Sequence, residues 1–387
     1  MCWVSPFAFM PESKDRRPMA DLPKSMRAVI LTGHGGFDKL QYCDDWPTPR
    51  PGPGEIIVKV GACGLNNTDI NTRIGWYAKA VTQGITAESG RTGIAGTNAA
   101  TGSWSSIPLS FPRIQGADVA GRIAAVGEGV DRARLGERVI VDPWLIGNGD
   151  PMNVANARYF GSECDGGFAD YACVPAPNAI VLETMLSDAE LATFPCALTT
   201  AENLVARTGL KPGETVIISG ASGGVGSVAI QLCGLRGARV IAIASAAKAD
   251  HLKDLGVAAI IDRNEPALSE AIQAAAGGPV DVVLDVVGGP MFAPLIDVLR
   301  QGGRYSSSGA IAGPDVRFDL RQLIYKDLQM TGATIVPPGT MTRLARLIER
   351  GHVRPLLAAA FPLKDLTQAQ EAFLAKNHVG NIVVTMD

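Results

Sequence analysis

Residues 214–245 read ETVIISGASGGVGSVAIQLCGLRGARVIAIAS, and no other stretch limits the fold as strongly. Val216-Ile217-Ile218-Ser219 is short, apolar and β-branched, as a fully buried parallel strand requires. The turn Gly220-Ala221-Ser222-Gly223-Gly224-Val225-Gly226 follows. Val225, Val228, Ala229 and Leu232 then recur at helical spacing, and Val240-Ile241-Ala242-Ile243 is a second strand. Strand, glycine turn, helix and strand in this order form a dinucleotide fingerprint. Glycine serves a tight turn, a close backbone approach to a pyrophosphate, and close packing of helix on strand. Free N–H groups at the helix start then hold phosphate.

The chain's 387 residues suffice for two ordinary domains. A formal charge of −3 leaves no basic footprint for nucleic acid, and no apolar run is long enough to span a membrane. Seven scattered cysteines without a CxxC pair fit a reducing, cytoplasmic setting rather than a disulfide framework. Residues 1–25 carry four prolines and no period, and read as a disordered extension or as translation from an early start before Met19 or Met26. From Met26 to about Val174, short strands punctuated by Gly and Pro indicate a mostly β domain, a small barrel or sandwich. From about Asp188, helices alternate with strands, which implies a parallel sheet.

The segments PGPGEIIVKV, GLNNTDINTRIGWY, VAGRIAAVGEGV, GGFADYACVP, ASGGVGSVAIQLC, VDVVLDVVGG and VGNIVVTMD occur in the order found in the medium-chain dehydrogenase/reductase superfamily. The chain resembles that superfamily from about Met26 to its end. The resemblance implies an α/β fold, a doubly wound Rossmann sheet plus a GroES-like, mostly β substrate domain. The implied boundaries are 26–176 for the GroES-like domain, 177–336 for the Rossmann domain and 337–387 for a return that completes the first. Zinc members carry a Cys, a His and a later Cys as ligands. Here Asn66 and Ala117 stand at the first two places and only Cys196 remains, short of the three ligands a catalytic zinc needs. The segment around Asn66 resembles zinc-free quinone oxidoreductases, with Asn66, Asp69, Arg73 and Tyr77 matching. We therefore expect Asn66, Tyr77 and Asp69 at the catalytic end, with amide and hydroxyl donors holding a developing enolate or phenolate oxygen. Arg73 is equally open to a structural ion pair.

Ser245 stands where an NAD-specific carboxylate would be, and Lys248 follows it. A carboxylate would repel a 2′-phosphate, whereas these residues can donate to it. NADPH is the expected cofactor. It is expected to be held by Thr200, Ala221, Ser222, Gly223, Gly224, Val225, Gly226, Ser245, Lys248, Arg263, Val286 and Gly309. A small-molecule substrate, and a homodimer through the edge near 328–335, complete the expectation. The alternatives are an alcohol dehydrogenase with a degenerate metal site, and an NADPH-binding protein without turnover. Two segments depart from the resemblance: a Gly/Ser/Thr/Ala-rich insertion at 78–110 that carries Trp104 next to the expected cleft, a lid or substrate-shaping loop or else plain disorder, and residues 144–167 in place of a zinc-binding lobe.

Overall fold

The computed structural model describes residues 22–97, 104, 108–146, 150, 152–153, 156–278 and 280–386. The expected N-terminal extension therefore lies outside the described residues up to position 21. Six parallel strands form one sheet in the spatial order Ala259–Asp262, Arg239–Ala244, Thr215–Ile218, Val280–Asp285, Leu299–Ser307, Gln329–Gly332. Taken in chain order this is 3-2-1-4-5-6, the doubly wound arrangement with its switch point between Thr215–Ile218 and Val280–Asp285. The central strands are buried on both faces, as their continuous Val/Ile runs require. Gly224–Leu235 covers one face with Val228, Ala229 and Leu232, while Val225 stays partly exposed at the helix start. No helix among the described residues is long and apolar enough to cross a membrane.

The other domain centres on Glu55–Gly64, which pairs antiparallel with Asp118–Val126, Tyr171–Pro175 and Asn381–Thr385. The C-terminal strands Leu357–Pro362 and Asn381–Thr385 thus complete a sheet begun by the N-terminal half. Two expected boundaries move. Ala179–Val181 still pairs with Arg138–Val141, so the β domain runs past residue 176. Helix Thr340–Glu349 buries Met341, Leu344 and Ile348 in the core beneath the parallel sheet, so the return into the β domain begins near Leu357 rather than at 337. Among the described residues Gln329–Gly332 is the edge of the parallel sheet and pairs only with Leu299–Ser307.

The described part of the insertion is ordered against both domains. Thr86 caps a short helix, Ala87–Thr92, by accepting from Ser89 N–H. The Ile85 N–H donates to Ile311 O of the parallel-sheet domain, while Ile94 N–H donates to Ile74 O of the β domain. Arg73 locks this arrangement. Its guanidinium is fully buried, lies over the Phe37 ring, and donates to Gly35 O, Gly90 O and Gln370 Oε1. Of the two roles open to it, Arg73 takes a structural one, with neutral acceptors in place of a carboxylate. Plain disorder is corrected for residues 78–97; 98–103 and 105–107 lie outside the described residues.

Candidate active site

The switch point and the β domain enclose a cleft of three connected chambers. The first is built on the glycine turn. Gly220 has φ +58, and a Cβ there would meet Val286 and Val287 side chains. A Cβ on Gly226 would stand 2.4 Å from Gly220 O, so only glycine lets the helix start this close to the turn. Gly223 is the N-cap of Gly224–Leu235, leaving N–H groups free for an anion. From the β domain, Gly380 N–H donates to Ser222 O at 2.9 Å and brings residues 376–380 over the turn.

That return supplies cations. Lys248 Nζ donates to Lys376 O at 2.6 Å, and Lys376 Nζ donates to Asn67 Oδ1 at 3.1 Å while lying over the Phe373 ring. Burial, then Lys248, lowers Lys376 to about 8; burial, then Arg263, lowers Lys248. His378 falls to about 4 through burial and then these lysines, and is neutral at pH 7. Lys248, Arg263 and Lys376 line the chamber with Ser245, and no carboxylate is among the lining residues. Asp250 pairs with Lys253 on an exposed face and does not line the chamber. Three cations held together without a counter-charge form a site for a highly charged anion.

The middle chamber joins the first through Asn67, Val225, Val286 and Ile311, and adds Asn66, Tyr77, Thr200 and Gly309. Asn66 is the N-cap of helix Asn67–Ile74 and lines this chamber. Its amide nitrogen stands beside the Asp118 carboxyl, close enough to hold that acid down, yet makes no well-formed hydrogen bond. Tyr77 accepts from Asn71 Nδ2 at 3.4 Å, and burial pushes its hydroxyl up to about 12, so it stays a proton-bearing donor.

The third chamber, about 260 Å³, shares Thr68, Tyr77, Cys196, Thr200 and Ser308 with the second and ends on Trp104, Trp144 and Tyr159. Trp144 and Tyr159 come from the two-stranded hairpin Trp144–Ile146/Ala157–Tyr159, within the second departing segment. Ala117 packs in the same apolar cluster. Asp118 Oδ1 accepts Cys196 N–H at 2.8 Å, and burial pushes the Cys196 thiol up to about 12. Cys63 is fully buried, with its thiol on Gly64 O. Among the described residues no group of three His, Cys, Asp or Glu side chains could hold a metal. An amide, a methyl and a protonated thiol do not fit a catalytic zinc.

The expected residues Asn66, Tyr77, Thr200, Ser222, Gly223, Gly224, Val225, Gly226, Ser245, Lys248, Arg263, Val286 and Gly309 all line this cleft. Two others do not. Asp69 is buried behind the helix start, where its carboxylate accepts Asn66 N–H at 2.7 Å; it positions Asn66 rather than meeting a ligand. Ala221 is fully buried beneath the turn, and its N–H donates to Ile243 O. Trp104 of the insertion lines the cleft as a substrate-shaping loop would require, whereas Asn67, Lys376, His378, Trp144 and Tyr159 carry no expectation from sequence. A chain with only four histidines offered one signal, the Lys376-Asn377-His378 run beside VGNIVV.

Burial lifts both Asp69 and Asp118 to about 7. For Asp118, the Asn66 amide and Cys196 N–H oppose that rise, and the Asp69 charge adds to it. An acid raised above its unfolded value (roughly 4) stabilises the fold below that value and loses the contribution as pH rises through its folded pKa. The ligand-free protein should therefore melt at a lower temperature at pH 8 than at pH 5.5. Asp118→Asn keeps an acceptor for Cys196 N–H and should narrow the gap in differential scanning calorimetry. An unchanged gap would assign the slope to other groups.

Comparison with known proteins gives the site a context. An alcohol dehydrogenase GroES-like domain model matches residues 52–184, and a zinc-binding dehydrogenase model matches 224–350. A solved structure from Sinorhizobium meliloti, provisionally called an alcohol dehydrogenase, is 46% identical with a TM-score of 0.86, covering 95% of this chain and 99% of that one. Acryloyl-coenzyme A reductase of Metallosphaera sedula is 26% identical over 370 residues, covering 93% of this chain and all of the relative. A 2-octenoyl-CoA carboxylase reductase solved with NADP and 2-octenoyl-CoA is 26% identical with a TM-score of 0.79, covering 95% and 88%.

Proposed function

The chain belongs to the medium-chain dehydrogenase/reductase superfamily of oxidoreductases, and on that premise we propose that it is an NADPH-dependent reductase of activated double bonds or quinones, acting without a catalytic zinc. One observation carries the reading: the cleft ends in hydrogen-bond donors and aromatic rings where a metal would need ligands. Without a Lewis acid, an alcohol has no group to lower its pKa. A conjugated carbonyl needs only that the charge developing on its oxygen be held.

NADPH, when bound, would supply the hydride. Ser222–Gly226 and the free N–H groups of the helix start would hold its pyrophosphate. Ser245, Lys248, Arg263 and Lys376 would hold its 2′-phosphate, for which the carboxylate-free chamber is suited. Asn66 Nδ2 and the Tyr77 hydroxyl hold the acceptor's carbonyl oxygen, and Asp69 keeps Asn66 aimed by fixing its backbone. Tyr77, protonated to about pH 12, donates a hydrogen bond to that oxygen as charge develops, and the final proton comes from Tyr77, reprotonated by water, or from water itself. Relatives named as enoyl thioester reductases support chemistry at a conjugated carbonyl. The test is NADPH oxidation with quinones, 2-alkenals and enoyl thioesters, against NADP+ reduction with alcohols, on protein of known metal content. Alcohol oxidation with stoichiometric zinc would overturn the reading.

A further inference from the structure

The two segments that depart from the resemblance meet in the third chamber, and their meeting has a chemical consequence. Trp104 comes from the insertion; Trp144 and Tyr159 come from the hairpin. Their rings pack edge to face, at 5.3 Å for Trp104–Trp144, 5.0 Å for Trp144–Tyr159 and 6.5 Å for Trp104–Tyr159. Such geometry makes a stiff wall, because each ring edge meets a neighbouring face. The three rings line the chamber together with Tyr77 and Cys196, whereas Asn66 lines only the neighbouring middle chamber.

The polar complement of this wall is unequal. Trp104 Nε1 is buried and has no hydrogen-bond partner among the described residues. An indole N–H only donates, and a buried donor without an acceptor is costly. The chamber thus offers aromatic rings for stacking and one indole N–H on a residue that lines it away from the middle chamber and Asn66. A straight alkyl chain would use neither, since it has no π face and no distal acceptor. A planar ring carrying a second carbonyl across from the first would use both.

Resting on the reductase reading above, we propose that Trp104 is a specificity-determining residue that selects planar conjugated dicarbonyl acceptors, of the para-quinone type. The reacting carbonyl lies at Asn66 and Tyr77, and the distal oxygen accepts the Trp104 indole N–H. Trp144 and Tyr159 position the Trp104 ring. The insertion thereby serves recognition: its described part is fixed to both domains through Ile85 and Ile94, and Trp104 packs against the hairpin's rings.

The test compares kcat/KM for 1,4-naphthoquinone and for trans-2-hexenal, with NADPH, in the wild type, Trp104→Phe and Trp104→Ala. The wild type should favour the quinone. Trp104→Phe keeps a ring but loses the donor, and should lower the quinone/hexenal ratio about tenfold. Trp104→Ala loses ring and donor, and should lower it further. NADPH affinity, read by quenching of protein fluorescence, checks that each variant is folded. A wild type that favours hexenal, or a ratio unmoved in both variants, would overturn the proposal and leave the reductase reading standing. Reduction of neither acceptor by wild type that binds NADPH would overturn that reading, and this inference with it.

Discussion

Glutamine at Lys248 or at Lys376 should lower the preference for NADPH over NADH, measured as the ratio of their kcat/KM values, by about ten- to a hundredfold. The size follows from a charge-assisted hydrogen bond to phosphate, about 1.5–3 kcal/mol each. Two lysines and Arg263 share one carboxylate-free chamber, so the double variant should lose less than the product of the single losses. The pH dependence carries a second signature. Lys376 is held near 8 in the ligand-free protein, so its charge fades as pH rises from 7 to 9. NADPH binding must then take up a proton, and the preference for NADPH should decline across that range. Lys376→Gln should remove the decline. Equal losses for the two cofactors would mean that these lysines do not face a 2′-phosphate.

The second large effect separates glycines by position on one helix. Gly226 and Gly234 both lie in Gly224–Leu235. A Cβ on Gly226 would sit 2.4 Å from Gly220 O and 2.7 Å from Ala221 Cα, both backbone atoms that cannot yield without opening the turn. Gly226→Ala should raise the NADPH Kd about a hundredfold or more, and overpacking should destabilise the fold by about 1–3 kcal/mol. Gly234 is exposed with nothing within 4 Å of a new Cβ. Gly234→Ala should stabilise the protein by about 0.5–1 kcal/mol through helix propensity and leave cofactor affinity alone. Isothermal titration and thermal melts of both variants check this. Parallel behaviour would show that the turn tolerates a side chain.

What could be read from sequence was local. The βαβ unit announces itself because strand, turn and helix are contiguous, and Ser245 and Lys248 stand close behind its second strand. Asn66 and Ala117 each stand inside a readable segment. The misses come from tertiary placement. Lys376 reaches the phosphate chamber only because the C-terminal return lays Gly380 against Ser222, and no chain spacing encodes that. Asp69 shares a turn with Asn66, but the helix start rotates its carboxylate inward to the backbone it caps. Trp104, Trp144 and Tyr159 lie in segments without period, so neither segment alone signals a wall. The sequence leaves Arg73 open to a structural role, and three neutral acceptors from distant segments decide it.

All of these features bear on how a carbonyl is activated in this cleft. The most direct measurement is the initial rate of NADPH oxidation at 340 nm with 1,4-naphthoquinone and with trans-2-hexenal, before and after exhaustive chelation, with zinc counted in the same samples. The donors at Asn66 and Tyr77 predict turnover that survives chelation at well under one zinc per chain. Activity that disappears with a stoichiometric zinc, and returns when zinc is restored, would contradict the account.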